Sequence, residues 1–373
     1  MKPTVTPLQG WLEERLAAPD QSRMTFREYM DACLYHPEYG YYTSDRQKLG
    51  KEGDFYTSGF IGGVFGPLIA RELAGLHQEC TAGCEAFRIM EWGGGDGRLA
   101  GQILDWLKAE KAQLYARLSY VMVESSPHHR ALIHERLASH ADKIVLLERP
   151  PWECGIDGAD WMVFSNELLD AMPVHRLVYE RKQWREIYVE RRATGGLSLV
   201  RGGLSSPCLA LYAAAYCPQA EEGQHIEVNL AAIDWISRIG SWLENGAVLT
   251  VDYGDFASEL YAAHRMDGTL LCYFKHQAHD RVLDRPGEQD MTAHVNFSAC
   301  IDAGLKAGLR HAGLRTQKQF MVDAGILELL QSDVSGDPFS PAAKRNRAIR
   351  QLLLSDGMSE LFKVLKQVKT REA

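Results

Sequence analysis

The stretch from Phe87 to Gly97, FRIMEWGGGDG, decides the fold of this 373-residue chain. Phe87–Trp92 is a short apolar run ending at glycines, which reads as a buried strand rather than a helix. Glycines at 93, 95 and 97 let the backbone turn sharply and come close to a ligand, where a Cβ would clash. Gly97–Lys108 then reads as an amphipathic helix. A strand, a glycine loop and a helix together place whatever the loop holds near a helix N-terminus. The dinucleotide fingerprint needs a glycine at the sixth position counted from Gly93, and Arg98 stands there, so a nicotinamide cofactor is disfavoured. The spacing is acid-x-Gly-x-Gly-x-Gly, counted from Glu91. A tight turn serving only the fold would use the same glycines.

Downstream, the pattern repeats. Strands at Tyr120–Glu124, Ile144–Leu147 and Trp161–Ser165, with a helix at Pro127–Ala138, indicate βαβ units and a parallel sheet. Residues 174–203 read instead as hairpins, with turns at Arg181–Gln183 and Gly195–Gly196. Helices near 208–216 and 229–244 precede a buried strand at Ala247–Val251. A strand at Thr269–Phe274, a helix from Phe297 to His311 and a strand near Arg315–Met321 follow. Helices are expected at 342–354 and 358–369, the second with Met358, Leu361, Phe362, Leu365 and Val368 on one apolar face. Upstream, Thr25 and Glu28 form a capping-box pattern for a helix running to Leu34, and Phe65–Leu76 is a further helix. The expected class is α/β, in three regions: an N-terminal helical cap (1–80), a core (81–330) with a β-hairpin insertion near 174–203, and a helical C-terminal tail (331–373).

Hydrophobic residues make up 46% of the chain, enough for a large core. The formal charge is −8, from 41 Lys+Arg against 49 Asp+Glu. Eight basic and five acidic residues give the segment from Gln331 onward +3, leaving −11 on residues 1–330. So acidic a body is poorly suited to neutralising phosphates, which argues against a nucleic-acid partner. No run of about 20 apolar residues is present to span a membrane. Eight scattered cysteines without a CxxC pair suggest buried thiols in a reducing compartment, not a metal centre, although His77, Cys80 and Cys84 lie close in sequence. With no leader pattern visible, a cytoplasmic location is expected.

Three sets of residues carry candidate chemistry. Glu124 ends the second strand, where a carboxylate can accept hydrogen bonds from both ribose hydroxyls of an adenosyl group; a solvated strand-end glutamate would look the same. Ser165–Pro173, SNELLDAMP, closes a strand on the ligand-binding edge of the sheet. Asn166 offers an amide there. Glu167 and Asp170, three apart, would share a face of a helical turn and could hold a guanidinium or accept a proton. Capping and solvation are the plain alternatives. His294, in the segment Gly287–Val295, could orient a substrate or accept a proton, or serve as a structural histidine.

The order HPEYGYY (36–42), GDFYTS (53–58), EWGGGDG (91–97), VMVESS (121–126), SNELLDAMPV (165–174), VDYG (251–254) and PGEQDMTAHVNF (286–297) resembles the MidA/NDUFAF7 family of S-adenosylmethionine (SAM)-dependent methyltransferases. The likeness runs from about Phe26 to about Gly325. It implies a Rossmann-like class I methyltransferase core, SAM as cofactor, and methylation of an arginine on a partner protein, as mitochondrial relatives do on a respiratory complex I subunit. By the same resemblance Glu91, Gly93, Gly95, Gly97 and Glu124 match the cofactor motifs, and Asp54 and Thr57 belong to a segment lying over the cofactor. Many relatives carry Glu-x-Gly-Pro-Gly-x-Gly; here Trp92, Gly94 and Asp96 stand within the motif while its glycine frame is kept. Two alternatives stay open: a SAM-dependent enzyme acting on a small molecule or RNA, and a SAM-binding assembly factor without catalysis.

Overall fold

The computed structural model describes residues 5–18, 22–43, 63–81, 83–332, 337–354 and 358–370. The chain divides into two compact units, each assembled from several segments. The sheet unit takes residues 56–168, 236–253 and 301–373, and the hairpin unit takes 1–55, 169–235 and 254–300. The division interleaves segments from along the chain.

The sheet unit is built on seven strands: β1 (Phe87–Trp92), β2 (Leu118–Val123), β3 (Ile144–Leu147), β4 (Trp161–Asn166), β5 (Gly246–Asp255), β6 (Arg310–Thr316) and β7 (Phe362–Lys369). They lie in the order β3-β2-β1-β4-β5-β7-β6. Neighbours from β3 through to β5 are parallel, and β7 runs antiparallel to both β5 and β6. The inner strands are nearly continuous apolar runs because helices cover the sheet. Phe87, Ile89, Tyr120, Met122, Met162, Phe164 and Leu249 share one buried cluster with Leu68, Ile69 and Leu73 of the helix Phe65–Cys80 and with Leu99, Ile103, Leu104 and Leu107 of the helix Arg98–Glu110. Burial of each large aliphatic or aromatic side chain contributes roughly 1.5–3 kcal/mol.

Two expectations are corrected here. Residues 358–369, expected as one helix, form a short helix at Met358–Leu361 and then the strand β7. Phe362, Val364, Leu365, Gln367 and Val368 are all buried in β7, an interior strand covered on both faces. Its apolar residues therefore need not alternate, and they mimic helical spacing. Near residue 310 the helix ends at Lys306, and β6 runs from Arg310 to Thr316, several residues earlier than expected. Gln317–Asp323 is helical, opened by a capping box between Thr316 and Gln319.

In the hairpin unit, the capping box of Thr25 and Glu28 opens the helix Phe26–Tyr35 as expected. Phe26, Tyr29 and Met30 pack with Val174, Val189 and Met291. The strands His175–Glu180, Gln183–Arg191 and Leu197–Gly202 form the expected hairpins, joined by Arg23–Thr25 and His225–Val228. A second, three-stranded sheet has the order Gln277–His279, Leu271–Phe274, Asp290–Thr292.

Candidate functional site

The glycine loop leaves the end of β1 and turns into the helix Arg98–Glu110. Gly93 and Gly95 both adopt left-handed backbone, with φ of 69° and 54°. A Cβ at Gly93 would lie 2.9 Å from Leu168 Cδ1, while one at Gly95 would meet nothing within 4 Å among the described residues. The left-handed backbone thus favours glycine at 93, where a Cβ would only push on the end of the Leu168 side chain, and Gly95 leaves space over the loop. Asp96 is held by Arg98 and Arg136, at 3.3 and 3.2 Å, and accepts from the Arg98 amide.

Glu124, just beyond β2, is 7% exposed. Its Oε2 accepts from the Gly95 N–H at 3.1 Å and its Oε1 from the Ser126 N–H at 2.8 Å. A carboxylate has roughly four acceptor sites, so capacity remains for the hydroxyls of a ligand. Glu91 lies elsewhere, 2% exposed at the end of β1, with the Tyr120 hydroxyl donating to its Oε2 at 2.9 Å. Burial pushes its carboxyl up to about 8, opposed by the Tyr120 hydrogen bond and assisted by the negative charges of Glu124 and Asp96. Glu91 therefore holds its proton at neutral pH beneath the loop.

Asn166 closes β4. Its Nδ2 donates to Glu167 Oε1 at 3.1 Å, while its Oδ1 is buried without a hydrogen-bond partner among the described residues. A buried acceptor left this way costs about 1–3 kcal/mol unless something donates to it. The open space at Gly95, the spare acceptor sites on Glu124 and this amide oxygen suit an adenosyl cofactor, which carries hydroxyl and amine donors.

The expected helical turn over Glu167–Asp170 is absent. Glu167 sits in left-handed backbone, φ 53°, with its N–H donating to Val251 O at 2.9 Å. The next amide, of Leu168, donates to Asp252 Oδ2 at 3.1 Å. These two bonds to β5 hold the chain out of helical geometry. Asp252 is fully buried and was not singled out from the sequence; the signal available was its place at the end of a buried strand.

Within the hairpin unit, Asp170 is 3% exposed, and its carbonyl accepts from the Ala293 N–H at 3.1 Å. That bond brings the backbone of Asp170 to the segment carrying His294, whose own N–H donates to Thr269 Oγ1 at 3.1 Å. Two neighbours escaped the sequence reading. The Tyr42 hydroxyl donates to Asp290 Oδ1 at 2.8 Å, and the Tyr35 and Tyr42 rings stack at 5.5 Å. Burial, then Asp290, Tyr35 and Asp170, raise the Tyr42 hydroxyl well above its ordinary value, so it stays a donor. Asp54 and Thr57 lie outside the described residues. His77 shares a 2.6 Å hydrogen bond with Thr81, and no group of three potential metal ligands occurs among the described residues.

Residues 68–315 match the family described as "Putative S-adenosyl-L-methionine-dependent methyltransferase". A crystal structure from Burkholderia thailandensis, solved bound to S-adenosyl-homocysteine, is 31% identical with a TM-score of 0.86, covering 98% of this chain and 92% of that one. The mitochondrial protein arginine methyltransferase NDUFAF7 of Xenopus tropicalis is 28% identical over 81% of this chain and 72% of its own. The Mus musculus protein of the same name is 26% identical over 90% and 78%. These mitochondrial relatives overturn the expectation of a cytoplasmic location. Composition and the lack of apolar runs report only on membrane spanning, and among the described residues no helix is long and apolar enough to cross a membrane.

Proposed function

This chain belongs to the matching family of SAM-dependent methyltransferases, and from that membership we propose that it methylates an arginine side chain of a partner protein. It is a SAM-dependent methyltransferase with SAM as its cofactor. Bound SAM supplies a methyl group on a positively charged sulfur. Every other part of the reaction falls to the chain's own residues.

The observation that carries this reading is Glu124 fastened to the Gly95 N–H. It sets a carboxylate beside the glycine loop, where ribose hydroxyls can donate to it. Gly93, Gly95 and Gly97 shape the loop, the Asn166 amide oxygen takes a further donor, and Glu91 supports the loop from below as a neutral acid. Asp54 and Thr57 keep the cofactor-covering role implied by the family resemblance.

The acceptor guanidinium arrives charged and must lose a proton when it gains a methyl group. Carboxylates suit both needs, since they pair with a guanidinium by bidentate hydrogen bonds and can take the proton. Glu167 and Asp170 are assigned that role. His294 is assigned to orienting the substrate. Alignment and exclusion of water account for most of the acceleration.

Incubating the protein with radiolabelled methyl-SAM and a cell lysate, followed by hydrolysis and chromatography of the labelled protein, tests this. Labelled methylarginine is expected. Label confined to RNA or small molecules overturns the assignment.

A further inference from the structure

In the three-stranded sheet of the hairpin unit, Gln277–His279 is an edge strand among the described residues, paired on one side with Leu271–Phe274. Beside it lies a cavity of about 290 Å³, lined among others by Phe274, Lys275, His279, Arg281, Asp284 and Arg285. Three fixed cations face one carboxylate there, and all four are exposed. Arg281 Nε pairs with Asp284 Oδ2 at 2.8 Å. The Arg285 guanidinium stands 4.3 Å from the Phe274 ring centroid and the Lys275 ammonium 5.4 Å. One aromatic ring thus gathers two cations at the mouth of the cavity. Burial and the charge of Arg281 lower the His279 imidazole below its ordinary value, in keeping with a positive local field.

The backbone adds a second, independent sign. Lys275 and His276 form the two-residue turn of the hairpin with φ of 49° and 62°, and Arg285 has φ of 48°. Turns of this kind favour glycine or asparagine, and other residues in such regions cost of order 1–3 kcal/mol each. Three of the seven such non-glycine residues among those described fall on this one small surface. Arg181 and Lys182 form a similar two-residue turn, and at Lys275 and Arg285 the left-handed residues place cations beside the cavity.

We propose that this cavity and its edge strand dock an acidic stretch of the protein substrate, a proposal that rests on the protein-methylating reading above. An extended peptide can add to the outer edge of Gln277–His279 through main-chain hydrogen bonds while its carboxylates pair with Arg281, Arg285 and Lys275. The cavity suits one or two carboxylate side chains. A nucleic acid would have to run its phosphates onward over a body that carries −11 across residues 1–330.

The test uses the full chain and fluorescence anisotropy with fluorescein-labelled hexaglutamate. Wild type should bind it in a salt-sensitive way and bind labelled hexalysine far more weakly. Arg285→Glu combined with Lys275→Glu should weaken hexaglutamate binding at least about tenfold, one lost charge-assisted contact being worth that much. Lys182→Glu, on the other hairpin, should change it less than about twofold. Calorimetry with SAM should give the same affinity for all variants, showing that they fold. With a methylated protein substrate, the double variant should raise KM and leave kcat unchanged. Absent hexaglutamate binding, equal binding of hexalysine, indifference to the double variant, or tighter binding of oligothymidylate would each overturn the proposal. Peptide binding involves no methyl transfer, so failure to find methylarginine and failure of this docking site are separate results.

Discussion

The glycine loop of the sheet unit and the Asp170–His294 region of the hairpin unit are both built around buried carboxylates, but they are assembled in opposite ways. The loop is local. Gly93 to Gly97 follow one strand, Glu124 ends the next strand, and the Gly95 N–H joins the loop to that carboxylate. The other region draws Tyr42, Asp170, Asp290 and His294 from segments up to about 250 residues apart, linked by the Tyr42–Asp290 and Ala293–Asp170 hydrogen bonds. A cradle for a constant cofactor can be written into one βαβ unit. A site for a varying acceptor, the role proposed for the Asp170–His294 region, would be gathered from loops, where residues can change without disturbing the sheet.

Substitutions can break this division of labour. The largest effect is expected at the carboxylates assigned to the acceptor. Glu167→Gln and Asp170→Asn should each lower kcat by about 100-fold or more, the usual scale for losing a positioned proton acceptor. Calorimetric SAM affinity should stay within about twofold. Unchanged turnover in a folded variant would remove that residue from the chemistry, and loss of SAM binding would place it on the cofactor side.

Glu124→Ala should do the reverse. Removing a carboxylate that receives two backbone donors and is positioned for ribose hydroxyls should raise the SAM dissociation constant by about 10- to 100-fold, at about 1.5–3 kcal/mol for hydrogen bonds to a charged group. At saturating SAM, kcat should recover most of its value. A kcat that stays low at saturation would show that the loop does more than hold the cofactor.

Tyr42→Phe sharpens the comparison further. It removes the hydroxyl that donates to Asp290 Oδ1. A loss of about tenfold in kcat/KM is expected from one hydrogen bond to a carboxylate, with SAM affinity unmoved. An unchanged kcat/KM would reduce the Tyr42–Asp290 pair to a structural contact.

The same contrast governs what could be read from the chain. The sheet up to β5 was legible because each parallel strand is an apolar run between turns, and the loop because its glycines announce left-handed backbone. Thr25 and Glu28 were legible because a capping box is a contact across three residues. Strand β7 was not, because being covered on both faces erased its alternation and left Leu361, Phe362, Leu365 and Val368 at helical spacing. Glu167 and Asp170 were singled out on a helical turn that is absent, since the Val251 carbonyl and the Asp252 carboxylate that set the backbone lie more than 80 residues away in sequence. Tyr42 and Asp290 stood inside quoted motifs, yet their pairing spans 248 residues and has no local signature.

The smallest effect on turnover is expected at Glu91, where the change falls on stability instead. Its carboxyl is pushed up to about 8 in the folded chain, chiefly by burial, while an unfolded glutamate ionises near 4.3. Below the lower value both states are protonated and the group contributes no pH dependence. Between the two values the folded chain holds a proton that the unfolded chain has released, so stability falls as pH rises, by at most about 1.4 kcal/mol per pH unit. Above about 8 both states are ionised and the decline stops. Glu91→Gln keeps a neutral hydrogen-bonding side chain beside Tyr120 and cannot titrate. Denaturant unfolding of both proteins between pH 5 and 8 should therefore show the variant gaining on the wild type as pH rises, with SAM affinity at pH 7 little changed. Parallel profiles would mean that Glu91 is ionised in the fold, and it would then join Glu124 as a charged member of the loop instead of a neutral support beneath it.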